Sequence, residues 1–133
     1  MKFKTFKQNK LVRDKIVEIM EQLGSKLYWI KLEDKEFIKQ LKIKLVEEAN
    51  EVTHANSKEA VLEEMADVLE VFQALAQAYN ISSKEITAVQ KKKRDEKGGF
   101  KNRTFLTFAE HPKDSPQERY CLADSTKYPE VKQ

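Results

Sequence analysis

Two pairs of acidic residues carry the spacing best suited to chemistry: Glu48-x-x-Glu51 and, after twelve intervening residues, Glu64-x-x-Asp67. The stretch Glu47–Glu70 holds eight acids and one lysine, although the whole chain has a formal charge of +3. On a helix, residues three or four apart are neighbours on one face. Glu48 and Glu51 would share one helix, and Glu64 and Asp67 the next. A short turn makes such helices antiparallel and lets the pairs face each other. Carboxylates converging on one gap repel unless a cation lies between them. Hard divalent ions that take oxygen ligands suit such a gap: Mg²⁺ first, with Mn²⁺ as an alternative.

The plainer reading makes these acids a solvated helix surface. Angular position separates the two readings. At about 100° per residue, Glu48 lies roughly 20° from Leu41, about 40° from Val52 and about 60° from Leu45, on the apolar side. Glu64 falls with Val61, Val68, Val71 and Leu75, and Asp67 with Ala60, Ala74 and Ala78. Glu63 and Glu70 fall instead with Ala66, Gln73 and Gln77 and read as solvent charges. An unpaired charge on an apolar face is costly, so the buried-side acids need a reason to be there.

The elements that must position them are helical. Leu11, Val12, Ile16, Ile19, Met20 and Leu23 recur at helical spacing, and Gly24 is a natural stop. Leu27-Tyr28-Trp29-Ile30 reads as an extended segment or short strand. Asp34 is the expected cap of a helix running from Lys35 to about Ala55. Asn56-Ser57 is the expected turn, with Asn56 and Glu59 spaced as a capping box. The next helix, to about Tyr79, is apolar over more than half its circumference, as a central bundle helix would be. Ser82 and Glu85 form a second capping box, opening a helix that Gly98-Gly99 ends. Phe105–Phe108 is a candidate partner strand for the Tyr28 segment. The expected fold is all-α: a small bundle of four or five helices, with room for one minor two-stranded β pairing. Residues 1–108 form the expected domain, and residues 109–133, broken by Pro112, Pro116 and Pro129, an irregular tail.

Composition agrees and removes several function classes. The 133 residues make one domain of common size, with 35% charged and 40% hydrophobic residues. Three glycines and three prolines are too few for a many-turned sandwich or barrel. The single Cys121 cannot form an internal disulfide, so a reducing compartment is expected. No run of about 18 apolar residues reads as a membrane span. The basic start Met1-Lys2-Phe3-Lys4 has no apolar region after it and is not a signal peptide, so the expected location is cytoplasmic. A serine, cysteine or histidine triad has no basis: Cys121 lies in the broken tail, and His54 and His111 have no evident partners.

Lys91, Lys92, Lys93, Arg94, Lys97, Lys101 and Arg103 fall within thirteen residues around Gly98-Gly99-Phe100. A solvated basic helix end would account for most of them. The cluster lacks interleaved aromatics and the net charge is modest, so nucleic acid is not an expected partner. Beside a metal-binding set of carboxylates, however, lysine and arginine supply what a polyphosphate needs.

Together these residues resemble the all-α nucleoside triphosphate pyrophosphohydrolases of the MazG type. Lys10-Leu-Val-Arg-Asp-Lys-Ile16 and Gly98-Gly99-Phe100 after a lysine-rich helix are similar to the phosphoribosyl-ATP pyrophosphohydrolase-like, house-cleaning group of that superfamily. The resemblance covers roughly Lys10 to Leu106. It implies hydrolysis of a nucleoside triphosphate, non-canonical ones included, between the α- and β-phosphates. The products would be a nucleoside monophosphate and pyrophosphate. It implies Mg²⁺ held by Glu48, Glu51, Glu64 and Asp67, with Glu47 beside Glu48 helping to orient or deprotonate water. Lys93 and Lys97 match the basic positions of the last helix. Relatives often carry Arg directly before Gly-Gly-Phe; Lys97 keeps the charge there but not the planar fork. Trp29, Tyr28 and Phe37 are candidates to stack on a base, Trp29 first, against the plainer view that an aromatic in a small bundle is core. A homo-oligomer, dimer or tetramer, is expected.

Three rivals compete. Glu51-x-x-His54 mimics half of a di-iron carboxylate motif, but the second half is missing. Phosphoribosyl-ATP itself is an alternative substrate. A non-catalytic helical interaction module with a residual metal site is the third.

Overall fold

The computed structural model describes residues 2–132 and contains five helices in chain order. They are α1 (Ile16–Gln22), α2 (Asp34–His54), α3 (Lys58–Ala78), α4 (Ser83–Lys97) and α5 (Pro116–Leu122). The chain forms two compact units, one running to Lys93 and the other from Arg94. Among the described residues no helix is long and apolar enough to cross a membrane.

In the first unit, packing between elements is concentrated in α2 against α3. The three residues between them make the connection, and Ser57 starts α3: its Oγ accepts from Ala60 N–H at 3.1 Å. The expected cap at Asn56 is therefore displaced by one residue, because Ser57 holds the extended φ/ψ (−126°, 159°) that a cap requires. At the start of α2 the extended residue is Glu33, with no side-chain cap bond, and Asp34 is already helical. The Ser82–Glu85 pair is as expected: Ser82 Oγ accepts from Glu85 N–H at 3.1 Å and donates to Glu85 Oε1 at 3.2 Å.

The first helix is shorter than its apolar spacing predicts. Leu11, Val12 and Arg13 remain outside it, and Ile16 N–H bonds to Arg13 O at 3.0 Å as the turn closes. Gly24, at φ +96°, ends it, with Gly24 N–H on Glu21 O and Ser25 N–H on Met20 O. Only a residue without Cβ reaches that φ without strain.

Among the described residues there is no β-strand, so the expected minor pairing is absent. The physical reason is visible in both segments. Tyr28, Trp29 and Ile30 are 91%, 68% and 81% exposed, and Phe105 and Leu106 are 87% and 76% exposed. A short extended run whose apolar side chains are mostly exposed has neither a fixed register nor support for a two-stranded ladder.

The second unit carries a helix where only an irregular tail is expected. Ser115 Oγ accepts from Glu118 N–H at 3.2 Å, Pro116 occupies the first turn, and Glu118 Oε1 accepts from Asp114 N–H at 3.1 Å. Ser115-Pro-x-Glu118 has the spacing of a capping box, with Glu118 reaching the N–H one residue before the cap and the proline where a missing N–H costs nothing.

Among the described residues Leu41 alone is buried, at 5% exposure. The side of α3 away from α2 lies open, with Leu62, Met65 and Leu69 each more than half exposed.

Candidate functional site

The facing sides of α2 and α3 carry the acids. Glu48 shares the half-buried side of α2 with Leu45 and Val52, and Glu64 and Asp67 share that of α3 with Val61, Val68 and Val71. Glu63 and Glu70 are exposed. The angular sorting of the sequence is thus the sorting of the folded helices. One carboxylate oxygen from each of Glu48, Glu64 and Asp67 can be chosen so that all lie within 4.8 Å of one another. Glu51, one turn beyond Glu48, is exposed and falls outside this trio.

The electrostatics of the trio are unbalanced. The Glu64 carboxyl is pushed above its ordinary value, first by desolvation and then by repulsion from Asp67, Glu51, Glu48 and Glu63. Each of these disfavours the charged form. A cation among the carboxylates would reverse that shift. The donors fit a hard divalent ion: all are carboxylate oxygens, with no sulfur or imidazole to draw a softer metal.

Glu47, next to Glu48, is held in the opposite sense. A hydrogen bond from Lys10 Nζ, 3.1 Å from Oε1, is the main cause of its lowered pKa, and Lys44 Nζ at 3.7 Å adds to it. Lys44 also reaches Glu48 Oε1 at 3.6 Å. On the other helix Arg13 Nη2 donates to Asp67 Oδ1 at 2.7 Å, with Nη1 3.9 Å from Glu70 Oε1.

The segment Lys10–Arg13 therefore straddles the hairpin. Three steps of extended chain cover about 10 Å, which matches the roughly 8–10 Å between packed helix axes. Lys10 reaches α2 while Arg13 reaches α3. These contacts explain why Leu11 and Val12 leave the helix that their spacing suggests. Lys44 was legible from its i,i+3 and i,i+4 relation to Glu47 and Glu48; the pairing of Lys10 and Arg13 needed the fold.

Lys93 is the last residue of the first unit and Lys97 belongs to the second, and the ion pairs to the acids come from Lys10, Arg13 and Lys44. Trp29 is exposed on the extended segment before α2.

What the arrangement can do is hold a divalent ion among oxygens with cations beside it, as hydrolysis of a phosphate anhydride requires. No curated protein and no solved structure matches the chain. Residues 10–94, from the Lys10 that binds Glu47 to the last turn of α4, match the phosphoribosyl-ATP pyrophosphohydrolase family. That span includes every acid and cation of the site just described. The chain belongs to this family of hydrolases acting on a pyrophosphate bond, within the MazG-like all-α superfamily.

Proposed function

We propose that the protein hydrolyses a nucleoside triphosphate between its α- and β-phosphates, releasing a nucleoside monophosphate and pyrophosphate, with Mg²⁺ as cofactor and Mn²⁺ as a substitute. The observation that supports this reading is the carboxylate trio within 4.8 Å, whose member Glu64 is pushed toward its neutral form by its neighbours. Glu48, Glu64 and Asp67 would hold the ion, with Glu51 able to join from the next turn of α2. A divalent ion bound there lowers the pKa of water and offsets charge on bridging phosphate oxygens.

The chain's own groups divide the remaining work. Glu47, with its pKa lowered by Lys10, stays ionised and accepts a hydrogen bond from the attacking water. Such a carboxylate orients water better than it removes a proton, because a lowered pKa makes a weaker base. Lys93 offers charge to the leaving pyrophosphate. Trp29, exposed on its segment, offers a stacking face to a base.

Phosphoribosyl-ATP is the second reading of the substrate, favoured by the family match over residues 10–94. The two readings share metal, scissile bond and site. Pyrophosphate release from a panel of canonical and modified nucleoside triphosphates and phosphoribosyl-ATP, with and without Mg²⁺, separates them. Strong preference for phosphoribosyl-ATP selects the second reading. No release from any member sinks both.

The protein works as a homo-oligomer in this proposal. Leu62, Met65, Leu69 and Phe72, at 66%, 56%, 52% and 40% exposure, follow one stripe of α3. Their spacing is that of a helix face made to be covered. A second copy presents the same stripe and so the matching surface. Sedimentation is expected to show a dimer or tetramer at micromolar concentration; a monomer there removes the proposal.

A further inference from the structure

We infer that Arg13 is a substrate-positioning residue that exchanges partners: it leaves Asp67 when a divalent ion takes the carboxylates and turns to the phosphates carried by that ion. The inference rests on the metal reading above and adds a residue and a sequence of contacts to it. Arg13 stands between two acids of different kind. Asp67, 2.7 Å from Nη2, belongs to the carboxylate trio, and Glu70, 3.9 Å from Nη1, lies outside it.

A divalent ion bound to Asp67 would meet the guanidinium on the same carboxylate, and two cations so close repel. The arginine is the one that can yield. Its side chain is 58% exposed, Asp67 is 41% exposed, and an exposed ion pair is weak beside the coordination of a divalent ion by several carboxylates. Glu70 keeps the displaced guanidinium close, because it sits one helical turn along α3 and outside the trio. From there the planar fork stays beside the carboxylates that would hold the ion. Two parallel N–H groups match two phosphate oxygens in a way that a lysine cannot. Lys10, three residues earlier, is committed to Glu47 at 3.1 Å and does not compete for Asp67.

The proposal gives Arg13 opposite effects on two binding steps. Mn²⁺ alone, titrated by electron paramagnetic resonance, should bind Arg13→Gln roughly two- to fivefold tighter than wild type, the scale of one exposed ion pair. An α,β-methylene nucleoside triphosphate, titrated into Mn²⁺-loaded protein, should bind the same variant about tenfold or more weaker, the scale of a charge-assisted phosphate contact. Lys10→Gln removes the same unit charge from the same segment and should leave Mn²⁺ affinity within about twofold of wild type. Shifts of opposite sign in Arg13→Gln alone support the exchange. Shifts of the same sign, no shift, or equal Mn²⁺ tightening by Lys10→Gln overturn it. Should Arg13→Gln lose its helical circular dichroism, Arg13→Lys carries the test: weakened analogue binding supports the exchange and wild-type analogue binding overturns it. Wild-type protein that binds no Mn²⁺ would instead refute the metal reading, a failure distinct from the others.

Discussion

Glu47, two turns before the end of α2, and Glu64, in the second turn of α3, are the same residue type in opposite circumstances. Glu47 has two lysines within 3.7 Å and its pKa lies below the ordinary value. Glu64 has four acids around it and its pKa lies above. The helix α2 thus carries an acid whose charge is compensated within the chain, and α3 one whose charge is not. The difference marks where an external cation has most to do. It lies among Glu48, Glu64 and Asp67, on the facing side of the hairpin.

The largest expected effect breaks the carboxylate trio itself. Glu48→Gln keeps size and removes charge from the trio; pyrophosphate release should fall by about a hundredfold or more, the loss known even for groups behind a metal's direct ligands. A variant within a few-fold of wild type would remove Glu48 from the site.

Glu64→Gln sharpens the same side through pH. The folded Glu64 carboxyl has a raised pKa, so the folded chain binds more protons than the unfolded one between the ordinary value and the raised one. Stability from this group therefore falls as pH rises through that window. The variant, with no charge to repel, should melt higher than wild type at pH 7 and no higher at pH 4. Mg²⁺ should raise the wild-type melting temperature and raise that of the variant much less. A variant less stable than wild type at pH 7 would mean that Glu64 is stabilised as an ordinary surface charge.

The compensated side should behave in reverse. Glu47 has a lowered folded pKa, so its contribution is present above the ordinary carboxylate value and is lost as pH falls through the folded one. Glu47→Gln should cost no more than about 1 kcal/mol at pH 7 in chemical denaturation, since both lysine pairs are partly exposed. The cost should vanish in acid. An unchanged stability at pH 7 would mean that the pairs with Lys10 and Lys44 contribute nothing.

The smallest effect concerns charge away from the trio. Lys93→Ala should weaken nucleotide binding by several-fold and leave the fold intact, as one exposed cation would. Unchanged KM and kcat would return Lys93 to the solvated surface.

Much of this was legible in the chain, for reasons of period. The 3.6-residue repeat placed Glu48 with Leu45, and Glu64 with Val61 and Val68, and the folded helices keep those faces together. What was not legible depended on contacts between distant residues. Arg13 and Asp67 are 54 residues apart, and no local pattern shows that Leu11 and Val12 give up helix to let Lys10 and Arg13 reach across. The Tyr28 and Phe105 segments have strand-like composition but mostly exposed side chains, so propensity had little to act on. The last helix was legible and was obscured by its prolines. Pro116 reads as a breaker until Ser115 and Glu118 are seen flanking a first helical turn.

Three residues, Ala55, Asn56 and Ser57, separate α2 from α3, and this brevity bears on how the protein folds. Glu48 and Glu64 belong to helices joined by a tight local turn, so little chain must be closed to bring them together. Topologies dominated by such local contacts fold fast, and loops of this size close within roughly 100 ns. The hairpin that gathers the carboxylates is therefore an early structure, formed before Arg13 has crossed the longer distance to Asp67. Charge repulsion opposes that first event, so a divalent ion that bridges the two helices would speed folding as well as stabilise its product.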